Sequence, residues 1–223
     1  MKPEMLADAG AVAREALAMI LDSASRALAR EGRFRLVLAG GSTPERTYRL
    51  LTETVSDWTG WEFFLGDERC LPADHPGRNS TMLRHVLFRH IPVEDARIHR
   101  IPAEQGAEAG ALAYEQAIRG RLPFDLVLLG LGEDGHTASL FPGHEHPQER
   151  LVVPVHDAPK PPPDRISLNY HTLCAAREVL FLVSGAGKHD ALARWQRGED
   201  IPAARIHGRE QTRVLADEAA VHG

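Results

Sequence analysis

Two cysteines in 223 residues, Cys70 and Cys174, are too few for a disulfide framework, and isolated thiols suit a reducing cytoplasm. No stretch approaches the roughly 18 consecutive apolar residues that a membrane helix needs. The first residues show no charged-then-apolar secretory leader. A basic surplus is missing too: the net charge of −5 and isoelectric point near 6.2 argue against a nucleic-acid partner. No internal repeat is visible. What remains is 43% hydrophobic and 26% charged, which excludes a disordered chain and a fibre. This length fits a single domain over 1–223, burying roughly 70% of the surface exposed when unfolded, so folding needs neither metal nor disulfide.

The apolar residues are arranged as alternating helices and strands. Leu17, Ile20, Leu21, Ala24 and Leu28 recur at three- and four-residue spacing, which predicts an amphipathic helix over the first thirty residues. Apolar runs follow at Phe34 to Ala39, Trp61 to Leu65, Phe124 to Leu131, Val179 to Ser184 and Thr212 to Ala216. They are apolar throughout rather than alternating, as strands covered on both faces are. Helix-like stretches lie around 45–54, 79–90, 105–119 and 186–197. The expected fold is α/β, Rossmann-like, with a mainly parallel sheet and helices on both faces. Arg165 to Leu168 reads as one more strand of that sheet, and the proline-rich 158–164 before it as a stiff surface loop. Ligands of such sheets bind at the carboxyl ends of the strands, where every Gly-rich and polar cluster here falls.

Gly40-Gly41-Ser42-Thr43-Pro44 joins a strand to a helix. Ser42 with Glu45 has capping-box spacing, and Thr43 with Pro44 reads as an N-cap followed by proline. Besides capping, paired glycines bare backbone N–H groups to a phosphate or carboxylate. Gly130-Leu131-Gly132-Glu133-Asp134-Gly135 matches a dinucleotide fingerprint in spacing only. Glu133 and Asp134 would face the pyrophosphate, and Pro142 leaves little room for the long helix. Gly185-Ala186-Gly187-Lys188 fails as a P-loop, since Leu182 and His189 occupy its required Gly and Ser/Thr positions, but it leaves Lys188 as a candidate phosphate ligand.

In Asp134-Gly135-His136 a histidine follows a tight turn at a strand end, a suitable place for proton transfer. The alternative is a histidine capping a short helix at Thr137–Leu140. His144 and His146 flank Glu145 without a convincing third ligand, so they read as solvated and not as a metal site. No G-x-S-x-G elbow is present, and neither cysteine has a histidine beside it in sequence. Asp67 and Arg69 can point the same way from the end of their strand. Together these residues suggest a small phosphorylated substrate and proton-transfer chemistry.

The run Phe124-Asp125-Leu126-Val127-Leu128-Leu129-Gly130-Leu131-Gly132-Glu133-Asp134-Gly135-His136-Thr137-Ala138-Ser139-Leu140-Phe141-Pro142-Gly143 resembles the signature of the 6-phosphogluconolactonase family. Gly40 to Pro44, Gly66 to Arg69, Asn79, Arg165 to Leu168 and Ser184 to Lys188 agree in order, so the likeness spans about 40 to 217. The resemblance implies a fold shared with glucosamine-6-phosphate deaminases and hydrolysis of a sugar-phosphate lactone, with no metal and no organic cofactor. It makes His136 the general base, with Asp134 and Asp67 orienting it or the sugar hydroxyls. Arg69 would offset negative charge. Arg165, Lys188, Asn79 and the backbone of Gly40, Gly41, Ser42 and Thr43 would bind the phosphorylated substrate. Two departures stand out. Arg78 replaces a usual serine, and Asn169-Tyr170-His171 replaces a Thr- and Pro-containing turn, both bearing on the phosphate wall and not on the reaction.

The deaminase branch is the nearest alternative, but it typically has Asp-Glu-Tyr where this chain has Asp67-Glu68-Arg69. A non-catalytic sugar-phosphate sensor would not need His136. Nothing in the residues specifies an oligomeric state.

Overall fold

The computed structural model describes residues 2–54 and 57–223. In chain order its strands are β1 (Glu4–Leu6), β2 (Phe34–Leu38), β3 (Trp61–Leu65), β4 (Asp67–Arg69), β5 (Ile98–His99), β6 (Leu126–Gly130), β7 (Val152–Val155), β8 (Arg165–Leu168), β9 (Glu178–Val183) and β10 (Gln211–Asp217). The α-helices are α1 (Ala9–Glu31), α2 (Ser42–Thr52), α3 (Asn79–Leu83), α4 (Ala107–Ile118), α5 (Tyr170–Cys174), α6 (His189–Gln196) and α7 (Glu218–His222). One π-turn, Arg84–Phe88, continues α3.

Seven strands form one parallel sheet in the order β1-β10-β9-β6-β2-β3-β5. Every residue of β2 and of β9 is buried, so helices and loops cover both faces, as the unbroken apolar runs predict. The predicted strands fall into register here, for example Leu36 opposite Phe63 and Leu128 opposite Leu180. The first helix starts later than predicted, because residues 4–6 pair with β10 as a strand. Asp8 caps that helix by accepting from the Ala11 N–H at 2.7 Å, and Gly32 at φ +65° ends it. Its buried stripe is Val12, Ala16, Ile20, Ala24 and Ala27, with the predicted Leu17, Leu21 and Leu28 at its margin.

One expectation is overturned. Arg165 to Leu168 belongs not to the central sheet but to the middle of a second, antiparallel one, in the order β4-β8-β7. A short buried run identifies a strand but not its partner. The chain leaves β3 at Gly66, whose N–H donates to Leu38 and whose carbonyl accepts from Leu168, and then pairs with β8 as β4. Asp67 and Arg69 are thereby carried from the parallel sheet onto a wall beside it.

Two buried tyrosines fix the strand ends that lead to this wall. The Tyr48 hydroxyl accepts from the Ala39 N–H and donates to its carbonyl, both at 2.9 Å. Tyr114 makes the same pair with Leu65 at 3.0 Å. Each joins a helix to the last residues of a strand where ladder bonds run out.

Candidate active site

The carboxyl ends of β2, β6 and β9 and the flank of the small sheet enclose a cleft of about 290 Å³. Gly40, Gly41, Ser42, Thr43, Asp67, Arg69, Asn79, His136, Arg165 and Lys188 all line it. Asp134 stands behind His136.

At the end of β2, a Cβ on Gly40 would lie 2.1 Å from Asn79 Oδ1, so glycine is what lets Asn79 reach into the cleft. The capping predicted for Ser42 and Thr43 is absent: α2 begins at Ser42, Gly41 is its N-cap, and no side chain caps it. Glu45 pairs with Arg49 at 2.6 Å instead of turning back. The first N–H groups of an eleven-residue helix therefore face the cleft with no protein side chain as acceptor, a setting that favours an anion.

His136 follows β6 on a turn closed by Gly132 N–H to the His136 carbonyl at 2.7 Å. Its Nδ1 lies 2.5 Å from Asp134 Oδ1, which also accepts the His136 backbone N–H at 3.0 Å. Burial pushes the Asp134 carboxyl up, but these contacts outweigh it and hold the group below the usual aspartate range. With Nδ1 turned to a carboxylate, Nε2 is the proton-accepting edge. A Cβ on Gly132 would meet His136 Nδ1 at 2.0 Å, so the glycine makes room for this pairing. Thr137 and Leu140 form an isolated antiparallel bridge, not the short helix considered from sequence, so His136 caps nothing.

Asp67 is nearly buried and held from two sides. Ser139 Oγ donates to its Oδ2 at 2.6 Å and Asn79 Nδ2 to its Oδ1 at 3.1 Å. Alternation along β4 turns the intervening Glu68 inward. There it accepts the N–H groups of Arg69, Asn79 and Ser80, each at 2.8 Å. Arg78, the departure from the family pattern, is buried against Glu68 at 3.4 Å and Glu104 at 2.9 Å, away from the cleft. It neutralises the charge beneath Asn79.

The cations are left open. Arg69 and Arg165 are directly opposite each other in the β4–β8 ladder, an arrangement in which like charges repel. Among the described residues neither has a carboxylate within 4.0 Å. Arg69 donates to the Gly77 carbonyl at 2.6 Å. Arg165, only 6% exposed, donates to the carbonyls of Lys160 at 2.8 Å, Pro162 at 3.2 Å and Pro161 at 3.4 Å. Burial lowers the Arg165 pKa; Asp67 opposes that and Arg69 adds to it. Its guanidinium lies over the Phe141 ring, 5.5 Å from the centroid. Two of the chain's three lysines, Lys160 and Lys188, also line the cleft, in a protein of net charge −5; Lys160 is paired with Glu133 at 3.1 Å. Sequence reasoning missed Lys160, because the inward side of a proline-rich loop has no periodic signal. It also missed Ser139, Phe141 and Ser184, the last with its hydroxyl buried in the cleft wall and no partner among the described residues.

His144, His146, Asn169, Tyr170 and His171 gather elsewhere, around a second cavity of about 680 Å³ with Arg205. Asn169-Tyr170-His171 therefore lies outside the cleft lining, and Asn169 ties two loops by donating to the carbonyls of Pro147 and Arg150, each at 2.8 Å. No three metal-ligating side chains converge among the described residues. Both cysteines are unpaired, and burial pushes the Cys70 thiol up to about 11 and that of Cys174 upward.

An α/β sheet with a histidine–aspartate pair, oriented carboxylates and unneutralised arginines at its carboxyl edge defines an enzyme fold with a small-anion cleft. The family model described as glucosamine-6-phosphate isomerases/6-phosphogluconolactonase matches residues 7–215, and the chain belongs to this family. A 6-phosphogluconolactonase of Mycobacterium tuberculosis is 36% identical over 97% of this chain and 96% of that protein. The crystal structure of a 6-phosphogluconolactonase from Thermotoga maritima superposes with a TM-score of 0.90 at 29% identity, covering 96% of this chain and 98% of the other. A monomeric glucosamine-6-phosphate deaminase superposes with a TM-score of 0.85 at 25% identity, covering 99% and 98%. No described helix is long and apolar enough to cross a membrane.

Proposed function

We propose that this chain, acting as a single domain over 1–223, hydrolyses 6-phospho-D-glucono-1,5-lactone to 6-phospho-D-gluconate in the oxidative pentose phosphate pathway. The observation that carries the reading is one cleft holding both a proton-transfer pair, Asp134 and His136 at 2.5 Å, and two opposed arginines without carboxylate partners.

Arg165 and Arg69 take the phosphate between them, relieving their mutual repulsion, while Lys188, Lys160 and the N–H groups of Gly41, Ser42 and Thr43 extend the positive field. Asp67, held by Ser139 and Asn79, accepts from sugar hydroxyls. His136 Nε2 removes a proton from water as its oxygen bonds to the lactone carbon. The oxyanion that forms lies within the cationic cleft. Its collapse breaks the bond from the carbonyl carbon to the ring oxygen, which takes the proton from Nε2. Water has been added across one bond and the imidazole is restored, so these side chains and water suffice. The two free thiols fit a cytoplasmic setting.

The test is hydrolysis of freshly generated 6-phosphogluconolactone with the spontaneous rate subtracted. Acceleration over that background is expected. A rate equal to the background overturns the proposal.

A further inference from the structure

The Phe141 ring touches both ends of the proposed chemistry. It is 1% exposed, and its centroid lies 4.6 Å from that of the His136 imidazole. On the ring also lies the Arg165 guanidinium, at 5.5 Å, and His144 stands at 5.7 Å. The two groups are otherwise held from different places. His136 is fixed through Asp134 on its own turn, Arg165 by carbonyls of the 160–162 loop. The ring is the one side chain in contact with both among the aromatic and cation–π pairs of the described residues.

Arg165 is buried opposite Arg69, a repulsion that Asp67 offsets only in part. An anion between the two arginines offsets that repulsion and holds the guanidinium more firmly against the ring on which it already lies. A buried aromatic ring in a close-packed wall cannot shift without moving what leans on it. Binding energy from a remote, non-reacting phosphate is then available to hold the reacting imidazole in place.

We infer that Phe141 is a positioning residue through which phosphate occupancy at Arg165 orders His136. The chain then has a second activity: hydrolysis of an unphosphorylated aldonolactone, switched on by a separate inorganic oxyanion in the same cleft. The inference rests on the lactonase reading above. Nothing is transferred to or from the oxyanion, and the hydrolysis adds water across the same bond.

The experiment uses glucono-1,5-lactone with increasing inorganic phosphate or phosphite, each corrected by an enzyme-free blank at equal oxyanion, since phosphate itself opens lactones. Wild type is expected to show saturable activation of roughly tenfold or more, as remote binding energy allows. Phe141→Leu keeps the apolar volume but loses the ring. It should retain the thermal-shift response to phosphate and lose the activation, whereas Phe141→Tyr, which keeps the ring, should restore it. Arg165→Ala should lose both. Equal activation in wild type and Phe141→Leu, or none in a wild type that hydrolyses 6-phosphogluconolactone, overturns the coupling alone. No hydrolysis of 6-phosphogluconolactone by wild type overturns the reading beneath it.

Discussion

The two ends of the parallel sheet use the same side chains in opposite ways. At the amino ends of β6 and β9, the buried Asp125 accepts from Arg30 at 2.7 Å and from the Arg35 N–H at 2.9 Å, with Arg177 at 3.6 Å. Glu178 accepts from Arg26 at 2.7 Å and Ser23 at 3.0 Å. Arginines and carboxylates there complete one another and clamp α1 to the sheet. Across the cleft at the carboxyl ends of the same strands, Arg69 of β4 and Arg165 of β8 have no carboxylate within 4.0 Å among the described residues, and the α2 N-terminus has no side-chain cap among them. A closed network is a structural element, while an open one at comparable burial keeps donors that a ligand could use. Residue type alone does not distinguish them; how completely the charges are satisfied does.

Four substitutions sharpen or break this contrast. Asp125→Ala at the closed end should cost about 3 kcal/mol of stability, the order for breaking a buried ion pair. Denaturant unfolding would read that loss, and turnover per folded molecule should stay unchanged; a fall in turnover would blur the distinction. His136→Ala at the open end should do the reverse, lowering kcat by about 10²-fold or more as for a lost general base, with Tm nearly unmoved. Arg165→Ala should raise KM about tenfold, the order of one lost charge-assisted contact worth about 1.4 kcal/mol. It should also abolish the rise of Tm with added phosphate, and an unchanged phosphate response would remove Arg165 from the anion site.

The smallest effect concerns pH. Burial pushes the Glu115 carboxyl up, but Arg150, the Val152 N–H and Arg119 more than offset this and hold it below its ordinary value of 4.5. Its contribution is present above pH 4.5 and is lost as pH falls through the lowered folded value. Glu115→Gln should therefore flatten the acid fall of Tm, and an equally steep fall in the variant would assign it elsewhere.

Much of this was readable from the residues. The apolar runs at 34–39, 61–65 and 179–184 became β2, β3 and β9 because burial on both faces writes itself as unbroken hydrophobicity. The clusters at 40–44, 67–69 and 134–136 lie at strand ends, where irregular backbone and polar side chains must be accounted for locally. Other features had no local signature. β1 and β5 are three and two residues long, too short for any period to show. β7 contains Pro154, a residue that argues against a strand. The partner of β8 is set by the turn at Gly66, far away in sequence. The opposition of Arg69 to Arg165 and the ring shared by His136 and Arg165 exist only once the two sheets meet.

The strand order has a consequence for how the molecule is made. β1 pairs only with β10, Glu4 opposite Leu215, so two neighbours in the sheet are separated by almost all of the described residues. Until residues 211–217 appear, the edge of β9 that β10 will cover stays unpaired while β3, β2, β6 and β9 can already pair with one another. Such distant pairing is slow, and it leaves a strand edge open to a neighbouring chain during synthesis. Chaperone demand should therefore be greatest between the synthesis of Lys188 and that of Asp217, when all of the cleft lining is present but the sheet that supports it is not yet closed.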